Sequence, residues 1–184
     1  MKFNKIVLIG MRGCGKSHFA SCLSKELKWR KVDTDDEIVK KSGNEISEIV
    51  ESHGWDTFRD LEHDICKEVA KQRNVVISTG GGAITFERNR KILQQNTLII
   101  FLFVDFKTLV TRLEKRESKN KRPALTNKKS IADEITQVWA ERADIYFNAA
   151  NIVFKAKDDL AKNAKMNVEK NAKILAKKVK ILLS

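Results

Sequence analysis

The chain has 184 residues, 42% of them hydrophobic and 33% charged, with nine Phe and three Trp; this is the length of one domain and excludes a disordered or coiled-coil composition. The longest apolar run, Leu98–Val104, is far short of the ~20 residues of a membrane span, and no apolar h-region follows Met1–Lys5, so neither membrane insertion nor secretion is expected. The formal charge is +12, from 36 basic and 24 acidic residues, a field that attracts anions and does not by itself separate small ones from nucleic acid.

Lys5–Ile9 is a short apolar run and predicts a strand. Lys16–Leu27 places Phe19, Ala20, Leu23 and Leu27 at helical spacing. Arg30–Val32 predicts a weak strand, and Asp36–Lys41, Glu45–His53 and Trp55–Lys71 predict helices. Asn74–Thr79 is β-rich. Glu87–Gln95 is helical, Thr97–Val104 is the clearest buried strand, and Asp105–Arg116 is a helix capped by Asp105. The polar, charged segment 117–128, with the only Pro, predicts a mobile loop. Ser130–Asn148 is helical and Asn151–Phe154 is a last strand. In the tail, Leu160, Ala164, Val168, Ala172, Leu175, Val179 and Leu182 form one apolar stripe among lysines, which predicts a basic C-terminal helix near 158–184. Strands alternating with helices imply parallel βαβ units in a doubly wound α/β fold, and a single domain over 1–184 is expected.

Cys14, Cys22 and Cys66 form no CxxC pair, and His18, His53 and His63 are scattered. Reduced thiols in a cytoplasmic protein are expected, and a zinc site is not.

Six of the eight glycines fall in two clusters, Gly10, Gly13 and Gly15, then Gly80, Gly81 and Gly82. Each cluster follows a predicted strand and reads as a ligand-holding loop. Gly10-Met11-Arg12-Gly13-Cys14-Gly15-Lys16-Ser17 matches the phosphate-loop pattern G-x-x-x-x-G-K-[ST] between a strand and a helix. Its backbone N–H groups form an anion cradle. Lys16 is expected to reach the β- and γ-phosphates, and Ser17 to ligate Mg²⁺. Asp33-Thr34-Asp35 follows the weak strand; in extended chain its two carboxylates share one face, one for the metal and one for an acceptor. Arg59 and Glu62 are neighbours at i,i+3 on a helix, either as a surface pair or as a carboxylate-binding arginine oriented by its glutamate.

These residues resemble the shikimate kinase family. The ordered set is Gly13-Cys14-Gly15-Lys16-Ser17, Asp33-Thr34-Asp35, Phe58-Arg59-x-x-Glu62, Ser78-Thr79-Gly80-Gly81-Gly82-Ala83, Lys121-Arg122-Pro123-Ala124-Leu125 and Arg142-x-x-x-Tyr146, spanning about residues 5–155. The resemblance implies a P-loop kinase fold, three layers α/β/α around a five-stranded parallel sheet of order 2-3-1-4-5, similar to nucleoside monophosphate kinases. It implies ATP and Mg²⁺, with shikimate as acceptor and the 3-phosphate as product. Gly13, Cys14, Gly15, Lys16, Ser17 and His18 would surround the nucleotide, with Arg112 packing near the adenine. Asp33 would act on the metal with Ser17. Asp35 would hold the shikimate hydroxyls and accept the reacting proton. Arg59, the Gly81 N–H and Arg142 would clamp the carboxylate, with Gly80 and Gly82 flanking. Arg122 would close over ATP from a lid near 115–128. Four positions depart from the family pattern: His18 stands for the Thr that follows the P-loop Ser, Val50 for Phe, Trp55 for an acid, and Asp144 for the proline two residues after Arg142. A related small-molecule kinase acting on gluconate or a nucleotide, or a nucleotide-binding regulatory or nucleic-acid-binding protein, remain alternatives. A monomer without membrane or nucleic-acid partner is expected.

Overall fold

The two most apolar runs become the centre of the sheet. In the computed structural model, which describes residues 3–117, 130–155 and 164–183, β1 (Lys5–Ile9) lies between β3 (Val75–Ser78) and β4 (Thr97–Phe103), and every residue of β1 is buried. Strands buried on both faces need no polar alternation, which is why these runs read as continuous apolar sequence. The edges are β2 (Arg30–Asp33) and β5 (Ile152–Lys155), both partly exposed. The order is β2-β3-β1-β4-β5, with all pairs parallel, as the family resemblance implies.

Register brings the chemistry to one end of the sheet. Asp33 pairs with Ser78, and Ser78 pairs with Leu8, two residues before Gly10. The first P-loop glycine, the acidic pair and the glycine triplet therefore leave the sheet side by side at its carboxyl edge, where ligands bind in parallel sheets.

The helices follow the predicted pattern with informative shifts. The first, α1 (Lys16–Leu27), buries Phe19, Ala20 and Leu23 against the sheet. The second, α2, runs Thr34–Ser42 and starts two residues earlier than predicted. The extended reading of Asp33-Thr34-Asp35 is therefore corrected: Asp33 ends β2 and caps α2, its Oδ1 accepting the Asp35 N–H at 3.2 Å, while Thr34 and Asp35 form the first helical turn. A short polar residue at a strand end captures an orphan helix N–H more effectively than continued extension would. The two predicted helices around Gly54 are joined as α3 (Ile46–Ala70), broken at Gly54 with φ 79° and ψ 171°, a conformation glycine adopts without a Cβ penalty.

A 3₁₀ turn (Ala83–Thr85) and α4 (Glu87–Leu93) follow the glycine triplet. Helix α5 spans Phe106–Glu117, and Asp105 caps it, accepting the Thr108 N–H at 3.0 Å. Helix α6 (Ile131–Ala149) is capped by Ser130. Helix α7 (Ala164–Leu183) packs along α1. Its buried stripe is Ala172, Leu175, Ala176, Val179 and Leu183. Leu182, predicted to belong to that stripe, is 48% exposed. From Val179 the step of four to Leu183 stays on the α1 face, whereas the step of three to Leu182 rotates off it. Leu160 lies outside the described residues. Among the described residues no helix is long and apolar enough to cross a membrane.

Candidate active site

The P-loop closes a crevice of about 520 Å³ at the carboxyl edge of the sheet, within the size range of small-molecule sites. Gly10, Gly13 and Gly15 adopt φ of 140°, 85° and 99°. Gly15 is the residue before α1, and with these turns the loop presents its amides at the start of that helix. Lys16 is 9% exposed, and its ammonium donates to the carbonyls of Gly10 at 2.9 Å and Met11 at 3.0 Å. Lys16 is thus held on its own loop, with the side chain already inside the crevice.

The Ser17 hydroxyl donates to Asp33 Oδ2 at 2.6 Å and lies 3.4 Å from the Ser78 hydroxyl. Three hard oxygen donors from α1, β2 and β3 meet here. Among the described residues there is no cluster of three or more His, Cys, Asp or Glu side chains suited to a metal ion. A serine and one carboxylate nevertheless fit Mg²⁺, which retains waters and takes its other ligands from phosphate oxygens.

Asp35, Arg59 and Arg142 line the same crevice as Gly15, Lys16 and Ser17. The guanidinium groups of positions 59 and 142 and the carboxylate of position 35 are therefore brought together, as the sequence predicted. Arg59 pairs with Glu62 at 2.9 Å, and the Glu62 side chain is only 1% exposed, so the pair is interior and the surface-bridge reading is set aside. Burial pushes the Glu62 carboxyl above its usual range, against the pull of Arg59 and Arg142 and with the help of Asp35. Glu62 Oε1 has no hydrogen-bond partner.

Gly80 explains how these acids approach. A Cβ on Gly80 would stand 2.8 Å from Asp35 Oδ1 and 2.9 Å from Glu62 Oε1. Its N–H donates to Thr34 Oγ1 at 2.9 Å, tying the triplet to the first turn of α2. A Cβ on Gly82 would lie 3.0 Å from both Arg59 Nη atoms. A side chain at Gly80 would make the two carboxylates shift, and one at Gly82 would crowd the Arg59 guanidinium. Gly81 lines the crevice, and its carbonyl accepts the Tyr146 hydroxyl at 2.6 Å.

Tyr146 is fully buried, and its phenol is pushed up to about 12, chiefly by burial. It also hydrogen-bonds the Arg142 side chain. The i,i+4 spacing of Arg142 and Tyr146 on α6 thus links the arginine to the glycine triplet. Asp144, a possible competitor for that arginine, sits on the exposed side of α6.

The other sequence candidates are placed as follows. Gly13, Gly15, His18, Gly80 and Gly82 line the crevice. Cys14 is 1% exposed, with its Sγ 3.7 Å from Lys16 Nζ, and its side chain packs into the core. Arg112 donates to the Gly13 and Cys14 carbonyls at 3.3 and 3.5 Å, behind the P-loop. Arg122 lies outside the described residues. Sequence reasoning gave no role to Arg12, Ile135 or Val138, which also line the crevice. For Arg12 the available signal was its place inside the P-loop pattern. For Ile135 and Val138 it was the apolar i,i+3 spacing on α6.

A family model for shikimate kinase matches residues 12–178. The chain belongs to the shikimate kinase family. Shikimate kinase 2 of Enterobacter sp. (strain 638) is 42% identical over 151 residues, covering 82% of this chain and 86% of that protein. The shikimate kinase of Nitratidesulfovibrio vulgaris (Hildenborough) is 36% identical over the same length and shares of the two chains. Among solved structures, shikimate kinase from Acinetobacter baumannii in complex with shikimate superposes with a TM-score of 0.83 at 26% identity, covering 98% of this chain and 93% of that one. For this shikimate kinase fold, the crevice just described lies where P-loop, acidic pair and glycine triplet converge.

Proposed function

We propose that this crevice transfers the γ-phosphoryl group of ATP to a hydroxyl of shikimate. The observation that carries the reading is that Asp35, Arg59 and Arg142 line the same hollow as Lys16 and Ser17. Phosphoryl transfer needs alignment and charge neutralisation more than covalent help. The two guanidinium groups suit a planar carboxylate, which they orient by paired N–H donors. With the carboxylate fixed, a ring hydroxyl points toward Asp35, whose carboxylate holds it and accepts its proton. On the nucleotide side, the P-loop amides hold the phosphate chain, and Lys16 exchanges its loop carbonyls for phosphate oxygens. Ser17 and Asp33 would hold Mg²⁺, which would supply charge neutralisation at the phosphates. Arg122 is assigned by resemblance to the lid arginine that adds positive charge over the phosphates, and Arg112 to the adenine side. Glu62 and Tyr146 hold the two clamp arginines in place.

The test is an ADP-release assay with ATP and Mg²⁺ and a panel of acceptors. Saturable turnover with shikimate is expected, with gluconate, CMP and AMP at background. Turnover of one of those three without shikimate turnover would reassign the acceptor. Folded protein with only background ATP hydrolysis would refute the kinase reading.

A further inference from the structure

Arg59 is enclosed from a direction its own helix does not supply. Its guanidinium carbon lies 5.2 Å from the ring centroid of Trp55, 5.0 Å from that of Phe58 and 5.1 Å from that of Phe86. Trp55 and Phe58 belong to α3 and meet edge to face at 5.6 Å. Phe86 arrives from the far side, as the residue that opens α4 after the glycine triplet. The same segment grips Arg59 at two further points. Gly82 lies close enough to both Nη atoms that a Cβ would sit 3.0 Å from each. Arg88 Nη2 donates to the Arg59 carbonyl at 3.0 Å and to Asp60 at 2.7 Å.

Phe86 has no evident duty elsewhere in the fold. It is 38% exposed and stands outside the hydrophobic core. It does not line the crevice. A large aromatic ring left half in water, with a guanidinium at 5.1 Å, has the geometry of a cation–π partner. Aromatic faces attract the cation without consuming its N–H donors. Glu62 takes one of those donors at 2.9 Å, and the rest of the planar fork stays available to a ligand.

We propose that Phe86 is a positioning residue for acceptor binding, the third wall of an aromatic cage that fixes the angle of the Arg59 guanidinium toward the acceptor carboxylate. The inference rests on the assignment of Arg59 to that carboxylate. The cage restricts the side chain before the acceptor arrives, so less conformational freedom is lost on binding. Acceptor affinity is thereby set partly by a ring that never touches the acceptor.

The experiment compares Phe86→Ala, Phe86→Leu and Phe86→Tyr in the full chain, with steady-state kinetics, melting temperature and the NMR signal of the Arg59 Nε–H proton. Phe86→Ala should raise the KM for shikimate about fivefold, with kcat and the KM for ATP within about twofold of wild type. Phe86→Leu keeps an apolar side chain without a π face and should behave like Ala, while Phe86→Tyr should behave like wild type. In the free protein, Phe86→Ala should move the Arg59 Nε–H resonance and Phe86→Tyr should not. An unchanged shikimate KM in Phe86→Ala, or a wild-type KM in Phe86→Leu, overturns the proposal. So does a rise in both KM values together with a lowered melting temperature, which marks a structural role. Should the wild-type chain fail to phosphorylate shikimate, the acceptor assignment falls. The cage is then decided by the NMR signal alone, and an unmoved Arg59 resonance in Phe86→Ala refutes it.

Discussion

The Ser17 hydroxyl donates to Asp33 Oδ2 at 2.6 Å, joining the first turn of α1 to the last residue of β2. Asp33 thereby does two things at once. One oxygen faces Ser17, and the other accepts the Asp35 N–H at the start of α2.

These duties separate by substitution. Asn is as good a helix cap as Asp, but it is a poorer ligand for a hard cation. Asp33→Asn should melt close to wild type and need at least about tenfold more Mg²⁺ for half-maximal rate. Asp33→Ala should lose the cap as well, at about 1 kcal/mol of stability. Magnesium titrations of the rate, with thermal melts of both variants, check this; equal magnesium requirements in wild type and Asp33→Asn would remove Asp33 from the metal corner.

Asp35→Asn should abolish turnover while leaving nucleotide affinity nearly unchanged. Asp35 lines the crevice; in the proposed reaction its carboxylate accepts the hydroxyl proton, which an amide cannot do. Single-turnover kinetics and calorimetric titration with ADP would show it. Near-normal turnover would mean that another group takes the proton.

Gly80→Ala places a methyl 2.8 Å from Asp35 Oδ1 and 2.9 Å from Glu62 Oε1. Gly81→Ala meets its nearest atom, the Arg12 backbone nitrogen, at 3.4 Å. The first should cost about 1–3 kcal/mol as an overpacking change and should weaken the acceptor KM. The second should cost clearly less. Chemical denaturation of the two variants side by side gives the comparison.

Tyr146→Phe removes the hydroxyl that donates to the Gly81 carbonyl at 2.6 Å. That carbonyl and Arg142 each lose a partner. A stability loss of about 1–2 kcal/mol is expected, together with a higher acceptor KM and little change in the KM for ATP. Equal effects on both substrates would show that Tyr146 supports the fold alone.

The buried Glu62 gives a pH signature. Its folded pKa is raised, with burial as the main cause. Between the unfolded value near about 4.3 and that raised value, the folded state holds more protons than the unfolded one. Glu62 therefore favours folding at the acid end of the window and loses that contribution as pH rises through it. Glu62→Gln mimics the protonated form. Its melting temperature relative to wild type should climb as pH rises above about 4.3. A difference that stays flat or falls would mean that the Arg59 pair outweighs burial.

The two glycine clusters and the P-loop were legible because they are contiguous, and local spacing records them. Arg59 and Glu62 were legible for the same reason, since i,i+3 on a helix fixes a neighbour. The acidic pair lines the crevice, but its backbone differs from the extended reading. Its strand was weak in the sequence, and nothing there showed that Asp33 would stop the strand and cap α2. Contacts between distant segments left no local pattern. Tyr146 meets Gly81 across 65 positions, and Phe86 meets Arg59 only because the turn after the triplet folds back on α3. The tail stripe was read one residue off at Leu182, because steps of three and four are interchangeable in sequence until a partner helix selects one.

Gly54 interrupts α3 with a positive φ at an exposed position, and a Cβ there would touch nothing within 4 Å. The interruption falls between Ile46 and Trp55, both of which line the crevice, and just ahead of Arg59. The chain therefore reaches one hollow from two differently directed segments, Ile46 from the leading one and Trp55 from the trailing one, which a single straight helix axis would not supply.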